Sequence, residues 1–516
     1  MRTTMGCKRA VASALVAIAL TGCAGDPAAP ALRVPEPAGL SLAVLPESVT
    51  NRYIVVFRPS VARPAEEAQQ LVDRLGGLPF RLYQTALKGF AVANLSPSAL
   101  AALRAHPAVA YVEEDGLNYP NDVQFLPLDN FSYQYSSGWG LDRMDERAAM
   151  FNGQRQFFAR GTGVHVYIID SGIRGDHEQF AGRLGDGITF TSGYGIPGGN
   201  PYDDQLPHGT LAASVAAGTT YGAAPGATIH SIRIDDEHEG AYSSDIVAGL
   251  DAVAQIAVKP AVANLSYGGI PSAFSIRDAI EGVVRSGVAF TKAAGNDSTD
   301  ALEDRGNRAA GAIIVGASDR FDTPASFGNT GSLLALFAPG VSVRVATNSS
   351  STGTALASGT SLAAPYVAGV AAAVLEREPA ATPYRVKEVL VSSATENVLA
   401  NVGTSSPNLL LYSLFTGVVI DGPSAIVTEA AQSATWTAVT SGGVGGFTYQ
   451  WEAAVNTGAY SVVSTASTYT RAFSVNQAFT LKLRLTVVSG GDTRVTAKNV
   501  SVVRPPSSCP PPQKAC

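Results

Sequence analysis

Short apolar runs alternate with helix-like segments through the central half of the chain. Runs rich in Val, Ile and Ala predict buried strands at residues 164–170, 229–234, 261–266, 288–293 and 313–317. Segments with helical apolar spacing lie between or after these runs, at residues 244–257, 276–286 and 362–377. Strands that alternate with helices predict a mostly parallel sheet with flanking helices. We therefore expect an α/β fold for residues 139–415.

Residues 51–116 carry a separate pattern. Strand-like and helix-like segments alternate over shorter distances, at residues 53–57, 65–75, 87–92, 98–104 and 109–115. Alternation of this kind predicts a small α+β sandwich ahead of the α/β domain.

The C-terminal pattern differs again, because residues 421–503 contain short runs rich in Thr, Val and Ser between Gly/Ser turns. The alternating run at residues 447–451 places Trp451 on an inward face, and residues 481–487 alternate in the same way. We expect an immunoglobulin-like β-sandwich here.

The first residues have the composition of a bacterial secretion signal. Positive charges precede a short apolar run in residues 1–23, which ends in Leu20-Thr21-Gly22-Cys23. This end resembles the lipobox of bacterial lipoproteins, which implies that Cys23 carries membrane lipid; an ordinary signal peptide with a chance cysteine is the alternative. The Pro- and Ala-rich residues 24–50 predict an extended tether.

Length and composition narrow the possible functions. A chain of 516 residues is too long for one core and predicts several domains. The net charge of −6, without a basic run, argues against nucleic-acid binding. Residues 139–415 contain no cysteine, so that domain must be stable without disulfides, and the cysteine spacing matches no zinc site. Cys509 and Cys516, in the Pro-rich tail 504–516, could close a small disulfide loop.

The strongest chemical signal is an ordered set of three residues. Ser361 lies in a turn of small residues at the start of a helix-like stretch, where a hydroxyl can reach a substrate carbonyl. A serine nucleophile needs a histidine base, which a carboxylate orients. Upstream, Asp170 ends a predicted strand and His208 opens a helical segment. The order Asp, His, Ser is one of the three known orders for this triad.

Five motifs in this order resemble those of the subtilisin-type serine proteases, and most closely their proteinase K branch. The motifs are Ile168-Ile169-Asp170-Ser171-Gly172-Ile173, His208-Gly209-Thr210, Asn264-Leu265-Ser266-Tyr267-Gly268-Gly269, Ala293-Ala294-Gly295-Asn296 and Gly359-Thr360-Ser361. The resemblance implies a secreted endopeptidase of proteins and peptides that needs no cofactor for its chemistry. His208 would take the proton of Ser361, and Asp170 would fix the imidazole tautomer.

The resemblance also implies the other site residues. The Asn296 side-chain amide and the Ser361 backbone N–H would donate to the oxyanion of the tetrahedral intermediate. A substrate would add as a further strand along Ser266, Tyr267, Gly268 and Gly269. The segment Ala293, Ala294 and Gly295 would line the pocket for the residue before the cut, and its small, uncharged walls predict broad specificity.

By the same resemblance, residues 51–116 are a propeptide inhibitor domain, which assists folding and blocks the cleft until it is removed. We expect the cut within the linker 117–138, between Leu117 and Gln134. If Cys23 carries lipid, this cut would release a soluble, monomeric enzyme from the membrane into the periplasm or the medium.

Structural calcium is a further expectation. Five side chains with oxygen, the ligand atom that calcium prefers, fall in one short stretch: Asp142, Asp145, Glu146, Asn152 and Gln154. They resemble a calcium site of some proteinase K relatives. A solvated acidic turn is the alternative.

Several positions depart from the family pattern. Pro207 replaces a glycine before the histidine, Leu211 and Tyr366 replace histidines, and Leu362 replaces a methionine. These changes remove no proton-transfer group, whereas Arg305-Gly306-Asn307 alters a loop under the pocket. The alternative function is therefore a catalytically inactive binding or scaffolding protein. An esterase with the same triad is discounted, because the Gly-x-Ser-x-Gly elbow is absent.

Overall fold

The computed structural model describes residues 40–45, 49, 51–120, 123–126, 138–149, 151, 157, 159–190, 199–235, 240–268, 273–403, 405–413, 417–441, 446–489 and 492–504. The predicted signal peptide with Cys23, most of the tether and the Pro-rich tail lie outside these residues, and those predictions stay predictions. In the part of the chain that is described, no helix combines the length and the apolar character needed to cross a membrane.

The N-terminal domain is a four-stranded antiparallel sheet with two helices on one face. The strands are β1 (Arg52–Phe57), β2 (Leu78–Tyr83), β3 (Gly89–Ala93) and β4 (Val109–Glu114), in the order β2-β3-β1-β4, and the helices are α1 (Pro64–Leu75) and α2 (Pro97–Ala105). Side chains alternate along β1, so Val55 and Phe57 pack on the helices, whereas Ile54 and Val56 face the next domain. The predicted α+β domain is present, with β2 as an additional strand.

A large parallel sheet forms the centre of the next domain. Strands β5 to β19 are Leu117–Pro120, Gln124–Leu126, His165–Asp170, Ile188–Thr189, Thr228–Arg233, Ala241–Tyr242, Ala261–Leu265, Tyr267–Gly268, Ala289–Ala293, Ile313–Ser318, Leu336–Pro339, Val343–Ala346, Thr354–Ser358, Thr395–Glu396 and Leu409–Leu410. The large sheet has the order β18-β19-β15-β14-β13-β11-β7-β9-β8. Its pairs are parallel apart from β18 with β19. The predicted α/β fold is confirmed.

Helices cover both faces of this sheet. They are α3 (Trp139–Met144), α4 (His208–Ala217), α5 (Ser243–Ile256), α6 (Phe274–Arg285), α7 (Thr360–Arg377) and α8 (Pro383–Ser393). Along β7, Val166 and Ile168 pack in the cluster that contains α4 and α7, while Tyr167 and Ile169 pack in the cluster that contains α5 and α6. Strands buried on both faces read as continuous apolar runs, which is why the sequence predicted them.

Helix α7 is buried over most of its length, and small residues make its position possible. All its residues from Thr360 to Leu375 are buried. A Cβ on Gly369 would lie 2.3 Å from the Ala216 carbonyl oxygen, so glycine lets α7 cross α4 in direct contact. The N-terminus of α7 thereby reaches the carboxyl ends of the central strands, where α/β sheets place their clefts.

Two carboxylates, the buried Asp115 and the half-buried Glu113, fasten the N-terminal domain to two of these helices. Arg52 donates to Asp115 at 2.8 Å, and both side chains are almost fully enclosed. Asp115 also accepts from the backbone N–H of Ser244 in the first turn of α5, at 2.8 Å. Glu113 accepts from the first two N–H groups of α6, at 3.0 Å each. Each carboxylate satisfies helix N–H groups that have no partner within the helix and complements the helix dipole.

The C-terminal region is built from strands alone among its described residues. Strands β20 to β27 are Gly417–Asp421, Ala425–Val427, Gln432–Ser441, Thr448–Val455, Ser461–Ser464, Thr468–Phe473, Phe479–Ser489 and Asp492–Val503. They form two sheets, β20-β22-β25 and β21-β27-β26-β23-β24, around one apolar cluster. Trp436 and Trp451 are fully buried in that cluster, so Trp451 faces inward as predicted. The immunoglobulin-like topology stays a prediction.

Replacing Gly282 with alanine should loosen the N-terminal domain. A Cβ there would lie 1.9 Å from the Ala86 carbonyl oxygen, where α6 meets the loop after β2. Relieving that overlap should weaken docking by roughly 1–3 kcal/mol. The measurement is amide hydrogen exchange at Thr85 and Ala86, in chains that all carry Ser361→Ala so that the candidate nucleophile is absent.

The matched control is Gly446→Ala, since a Cβ at Gly446 would meet nothing within 4 Å. We expect faster exchange at Thr85 and Ala86 in Gly282→Ala and wild-type exchange in the control. Unchanged exchange in both variants would contradict the docking role of this contact.

Candidate active site

Asp170 ends strand β7 and lies at the carboxyl edge of the parallel sheet. Its side chain is inaccessible, and its Oδ1 accepts from the Ser171 backbone N–H at 2.8 Å. The same oxygen lies 2.8 Å from His208 Nδ1. A buried carboxylate is stable only with such partners. The contact also defines the tautomer, because Nδ1 must carry the proton that it donates to Asp170.

His208 is the first residue of α4, and a glycine holds it close to the end of β7. A Cβ on Gly209 would lie 2.0 Å from the Gly172 carbonyl oxygen, so no larger residue fits after the histidine. The Gly209 backbone N–H donates to Ser171 Oγ at 3.0 Å, which ties the helix start to the strand end. The motifs around Asp170 and His208 are therefore parts of one contact.

Ser361 lies in the first turn of α7 and is buried in this state of the chain. Ser266 Oγ donates to the Ser361 carbonyl at 3.0 Å. The next residue, Tyr267, places its ring edge-on to the His208 ring, with 5.7 Å between centroids. The dipeptide Ser266-Tyr267 thus contacts both residues, and α4 packs against α7 beside it. The structure joins Asp170 to His208 directly and connects Ser361 to them through the neighbouring residues Ser266 and Tyr267.

Asn296 is oriented by the residue before Ser361. Its Oδ1 accepts from the Thr360 backbone N–H at 3.0 Å and from Thr360 Oγ1 at 2.7 Å. With the oxygen turned to Thr360, the NH₂ end of the amide points away from it. Gly295 makes the approach possible, because its φ of 108° is unfavourable for other residues and a Cβ there would lie 2.3 Å from Asn329 Nδ2. This geometry suits a side-chain amide donor next to Ser361.

The predicted pocket wall is held from behind by a buried ion pair. Ala293, Ala294 and Gly295 follow one another at the end of β13, and both alanines are inaccessible. Asn307 Nδ2 donates to the Ala294 carbonyl at 2.9 Å. Lys292 Nζ donates to Asn307 Oδ1 at 2.9 Å and to Asp304 at 2.6 Å. The loop that departs from the family pattern is therefore fastened under the pocket.

The predicted substrate strand is paired with the chain's own linker. Strand β5 lies between β10 and β12 and is antiparallel to both. Tyr119 pairs with Gly268 and Pro120 with Tyr267, while Asn118 pairs with Ala241 on the other side. Gly269 lies outside the described residues. Both strands have two residues, too few to show alternation, so sequence reasoning found β12 from the motif around Ser266 and missed β10, for which no motif was recognised.

Asp204 is a site residue that sequence reasoning missed. It accepts from the backbone N–H of Thr210 at 2.9 Å and from the Thr210 hydroxyl, and Ser171 Oγ lies 2.8 Å from its Oδ1. It thus links the residues that follow Asp170 and His208. Burial raises the pKa of Asp204 from its ordinary 3.8 to about 7, and the nearby Asp170 carboxylate adds to this rise. An acidic residue four positions before His208 was the available signal.

The four substituted positions are accommodated by packing. Leu211, Leu362 and Tyr366 are buried in the cluster that contains α4 and α7. Pro207 occupies the N-cap position of α4, with a helical backbone that proline tolerates there. None of the four bears on the Asp170–His208 hydrogen bond.

The predicted calcium ligands are placed only in part. Asp142 and Asp145 are 2% and 3% exposed, and Glu146 is half-buried. Asn152 and Gln154 lie outside the described residues. Within the described residues, no group of three or more His, Cys, Asp or Glu side chains has the arrangement of a metal site. The burial of two carboxylates fits a cationic partner but leaves the ligand set incomplete.

Comparison with known proteins gives two family matches. The Subtilase family matches residues 161–409, and the Peptidase inhibitor I9 family matches residues 52–117. The second match coincides with the four-stranded N-terminal domain. The two matches correspond to the central domain and the N-terminal domain of the fold.

Alignments with individual relatives cover most of each relative's length. An "Extracellular serine proteinase" of a Thermus species is 39% identical over 418 residues, which are 77% of this chain and 97% of the relative. "Proteinase R" of Parengyodontium album is 31% identical over 377 residues, 72% of this chain and 91% of the relative. The crystal structure of "a cold adapted subtilisin-like serine proteinase" has a TM-score of 0.51 and 36% identity, and covers 54% of this chain and 98% of that one.

Replacing Asp204 with asparagine should alter the pH dependence of stability. Because the folded pKa lies above the ordinary value, the protonated carboxyl stabilises the fold. This contribution to the free energy of unfolding is complete below about pH 4 and is lost as the pH rises through about 7. At about 1.4 kcal/mol per pKa unit, the loss is at most a few kcal/mol. Asparagine cannot ionise, so the variant should lack this loss.

The measurement is the free energy of unfolding by urea at pH values from 4 to 8, in Ser361→Ala chains with and without the substitution. We expect the difference between the two curves to change steadily between pH 4 and 7 in favour of asparagine at high pH. Parallel curves would show that Asp204 does not titrate in this range.

Proposed function

We propose that this chain, which belongs to the subtilase family of serine proteases, is a secreted endopeptidase that removes its own propeptide. It hydrolyses peptide bonds through Asp170, His208 and Ser361. The observation that carries the proposal is the linker: strand β5 approaches the site on one side and strand β6 leaves it on the other. The printed name of the Thermus relative, "Extracellular serine proteinase", supports the location.

The triad chemistry follows from the tautomer of His208. Its Nδ1–H is held by Asp170 at 2.8 Å, so Nε2 is the nitrogen that takes the Ser361 proton as the hydroxyl attacks the substrate carbonyl. The imidazolium that forms is stabilised by the buried carboxylate. It then gives the proton to the leaving amine, and the acyl-enzyme is hydrolysed by water in the same way.

Charge on the carbonyl oxygen is stabilised by donors that are oriented before the reaction. The Asn296 amide is fixed by Thr360, and the Ser361 backbone N–H lies in the first turn of α7, where helix N–H groups have no partner within the helix. Donors that need no reorganisation are the most effective in the transition state.

The substrate binds as an extended strand, in the same way as the linker strand β5. Backbone pairing with β10 and β12 recognises any extended peptide, which supports a broad choice of protein substrates. Small residues at Ala293, Ala294 and Gly295 leave room for the side chain before the cut. Similarity to "Proteinase R" supports the proteinase K branch.

The register of the linker supports a position for the self-cleavage. Pro120 pairs with Tyr267, and Gln124 pairs with Ser358, three residues before the nucleophile. Pro120 and Gln124 are thus described residues on the two sides of the site that holds Ser361. Ser266, the residue before Tyr267, contacts the Ser361 carbonyl through its hydroxyl. We propose that the cut follows Asn121, one position beyond the last paired residue Pro120 and within the predicted window from Leu117 to Gln134.

Three further assignments accompany this function. Lipid on Cys23 would hold the precursor at the membrane, and a cut after Asn121 would release a soluble, monomeric protease. Calcium at Asp142 and Asp145 would be structural, as their burial favours a cation. The C-terminal strands would form an immunoglobulin-like accessory domain.

Removing the nucleophile should stop maturation. Expressed from Ala24 onward, the wild-type chain should yield a mature N-terminus at Asp122, whereas Ser361→Ala should stay full length. Intact masses and N-terminal sequencing measure this. If both chains fold and both stay full length, the chain is the inactive binding or scaffolding protein, and the proposal fails.

Removing the side-chain donor should slow catalysis without weakening binding. Asn296→Ala should lower kcat on a casein-derived peptide by roughly 10²–10³ with little change in KM, because the amide acts on the transition state. Thr360→Val, which removes only the hydroxyl that orients Asn296, should have a smaller effect of the same kind. Equal losses in kcat and affinity would indicate a structural role instead.

A further inference from the structure

Lys292 is a buried lysine that directly precedes the predicted pocket wall, with 1% of its surface exposed. An ammonium group has three N–H donors and no acceptor, so a buried one needs three acceptors. The structure supplies all three: Nζ donates to Asp304 Oδ2 at 2.6 Å, to Asn307 Oδ1 at 2.9 Å and to the Ala293 carbonyl at 3.2 Å. Asp304 balances the charge, whereas the contact with Asn307 continues toward the site.

The contact with Lys292 determines which way the Asn307 amide faces. Because the ammonium can only donate, Asn307 must turn its oxygen toward Nζ and its NH₂ group away. That NH₂ group donates to the Ala294 carbonyl at 2.9 Å and to the Ala301 carbonyl at 3.0 Å. In a reversed amide, the side-chain oxygen would face these two carbonyl oxygens and both hydrogen bonds would be lost. Lys292 therefore keeps a donor on the Ala294 carbonyl.

The peptide unit between Ala294 and Gly295 connects this donor to the other side of the pocket wall. Its carbonyl accepts from Asn307, and its N–H donates to Thr360 Oγ1 at 3.2 Å. The Thr360 hydroxyl donates its own proton to Asn296 Oδ1 at 2.7 Å. A rotation of this peptide unit would therefore displace the hydroxyl that orients the Asn296 amide.

All hydrogen bonds of this series point in the same direction. Each donor faces away from the ammonium, from Lys292 through Asn307, the peptide unit 294–295 and Thr360 to Asn296. The NH₂ end of Asn296 is the last donor, and the proposed function places the substrate oxyanion there. Hydrogen bonds aligned in this way polarise one another, and the low dielectric of a buried site strengthens them.

We propose that Lys292 is a positioning residue for the oxyanion donor Asn296 and acts through Asn307, the peptide unit 294–295 and Thr360. The inference rests on the proposed function, in which Asn296 donates to the tetrahedral intermediate. Asn307 belongs to the loop that departs from the family pattern, so this departure supplies the second member of the series. The altered loop thus supports the chemistry of the site.

Replacing Lys292 should cost less than removing Asn296 itself. The Ala294 carbonyl also accepts from Asn329 Nδ2 at 3.1 Å, so the peptide unit stays held in part. A small displacement of a preorganised donor nevertheless raises the barrier, because the donor acts on the transition state. We expect Lys292→Met to lower kcat roughly tenfold with little change in KM.

The test is a double-mutant cycle on kcat for a casein-derived peptide. The enzymes are matured full chains: wild type, Lys292→Met, Asn296→Ala and the double variant, with active sites titrated so that unfolded protein is not counted. Lys292→Met should lower kcat roughly tenfold in the wild type and less than about twofold in the Asn296→Ala background, where its route to the oxyanion is absent. A loss of equal size in both backgrounds would show a purely structural role and overturn the inference.

A control and a second variant complete the test. Lys387→Met is the matched control, because Lys387 is half-buried and donates to a backbone carbonyl, that of Ala312 at 2.7 Å, outside the series. It should change kcat less than about twofold. Asn307→Leu interrupts the series and leaves the ion pair of Lys292 and Asp304 in place, so it decides if the unpaired carboxylate prevents Lys292→Met from folding. It should show the same dependence on the Asn296→Ala background.

Failure of the inference and failure of the proposed function give different results. If the folded Lys292→Met and Asn307→Leu enzymes keep kcat within about twofold of wild type, the positioning role is overturned while the protease stands. If wild type hydrolyses neither the peptide nor casein, the proposed function fails and the inference fails with it.

Discussion

The buried hydrogen bond between Asp170 and His208 is the interaction on which the surrounding structure depends. An inaccessible carboxylate requires donors, which the imidazole and the Ser171 N–H provide. A helix start can approach a strand end this closely only without a side chain, and Gly209 supplies that, since a Cβ would lie 2.0 Å from the Gly172 carbonyl. The neighbouring Asp204 adds a second buried carboxyl to the same junction.

The N-terminal domain is held by the same physical means. The carboxylates of Asp115 and Glu113 lie at the N-termini of α5 and α6, respectively, where helix N–H groups require acceptors. Arg52 balances the charge of Asp115. Docked there, the domain leads its own C-terminal linker between β10 and β12 as a strand. In the proposed function, inhibition and self-cleavage would use one set of contacts, because an inhibitor bound like a substrate becomes a product when its bond beside Ser361 is cut.

Departures from a family pattern need not disturb chemistry when a local network replaces what was lost. The altered loop at Asn307 is fastened by Lys292, whose Nζ reaches both Asn307 and Asp304 in a buried site. Asn307 in turn supports the carbonyl of Ala294 at the pocket wall. The substituted Leu211, Leu362 and Tyr366 fill core space instead of carrying protons.

The sequence by itself determined the α/β fold and the order of its parts, and it indicated the candidate residues Asp170, His208 and Ser361, because buried strands read as apolar runs and the motifs lie next to them. Strand β2 was not predicted, since Pro79 and Arg81 interrupt its alternation. Sequence reasoning also missed the contacts of Asp204, the carboxylates that cap α5 and α6, and the pairing of β5 with β10. These features join residues that lie apart in the chain. Such contacts depend on which backbone groups and acceptors meet in space, and therefore only the tertiary structure decided them.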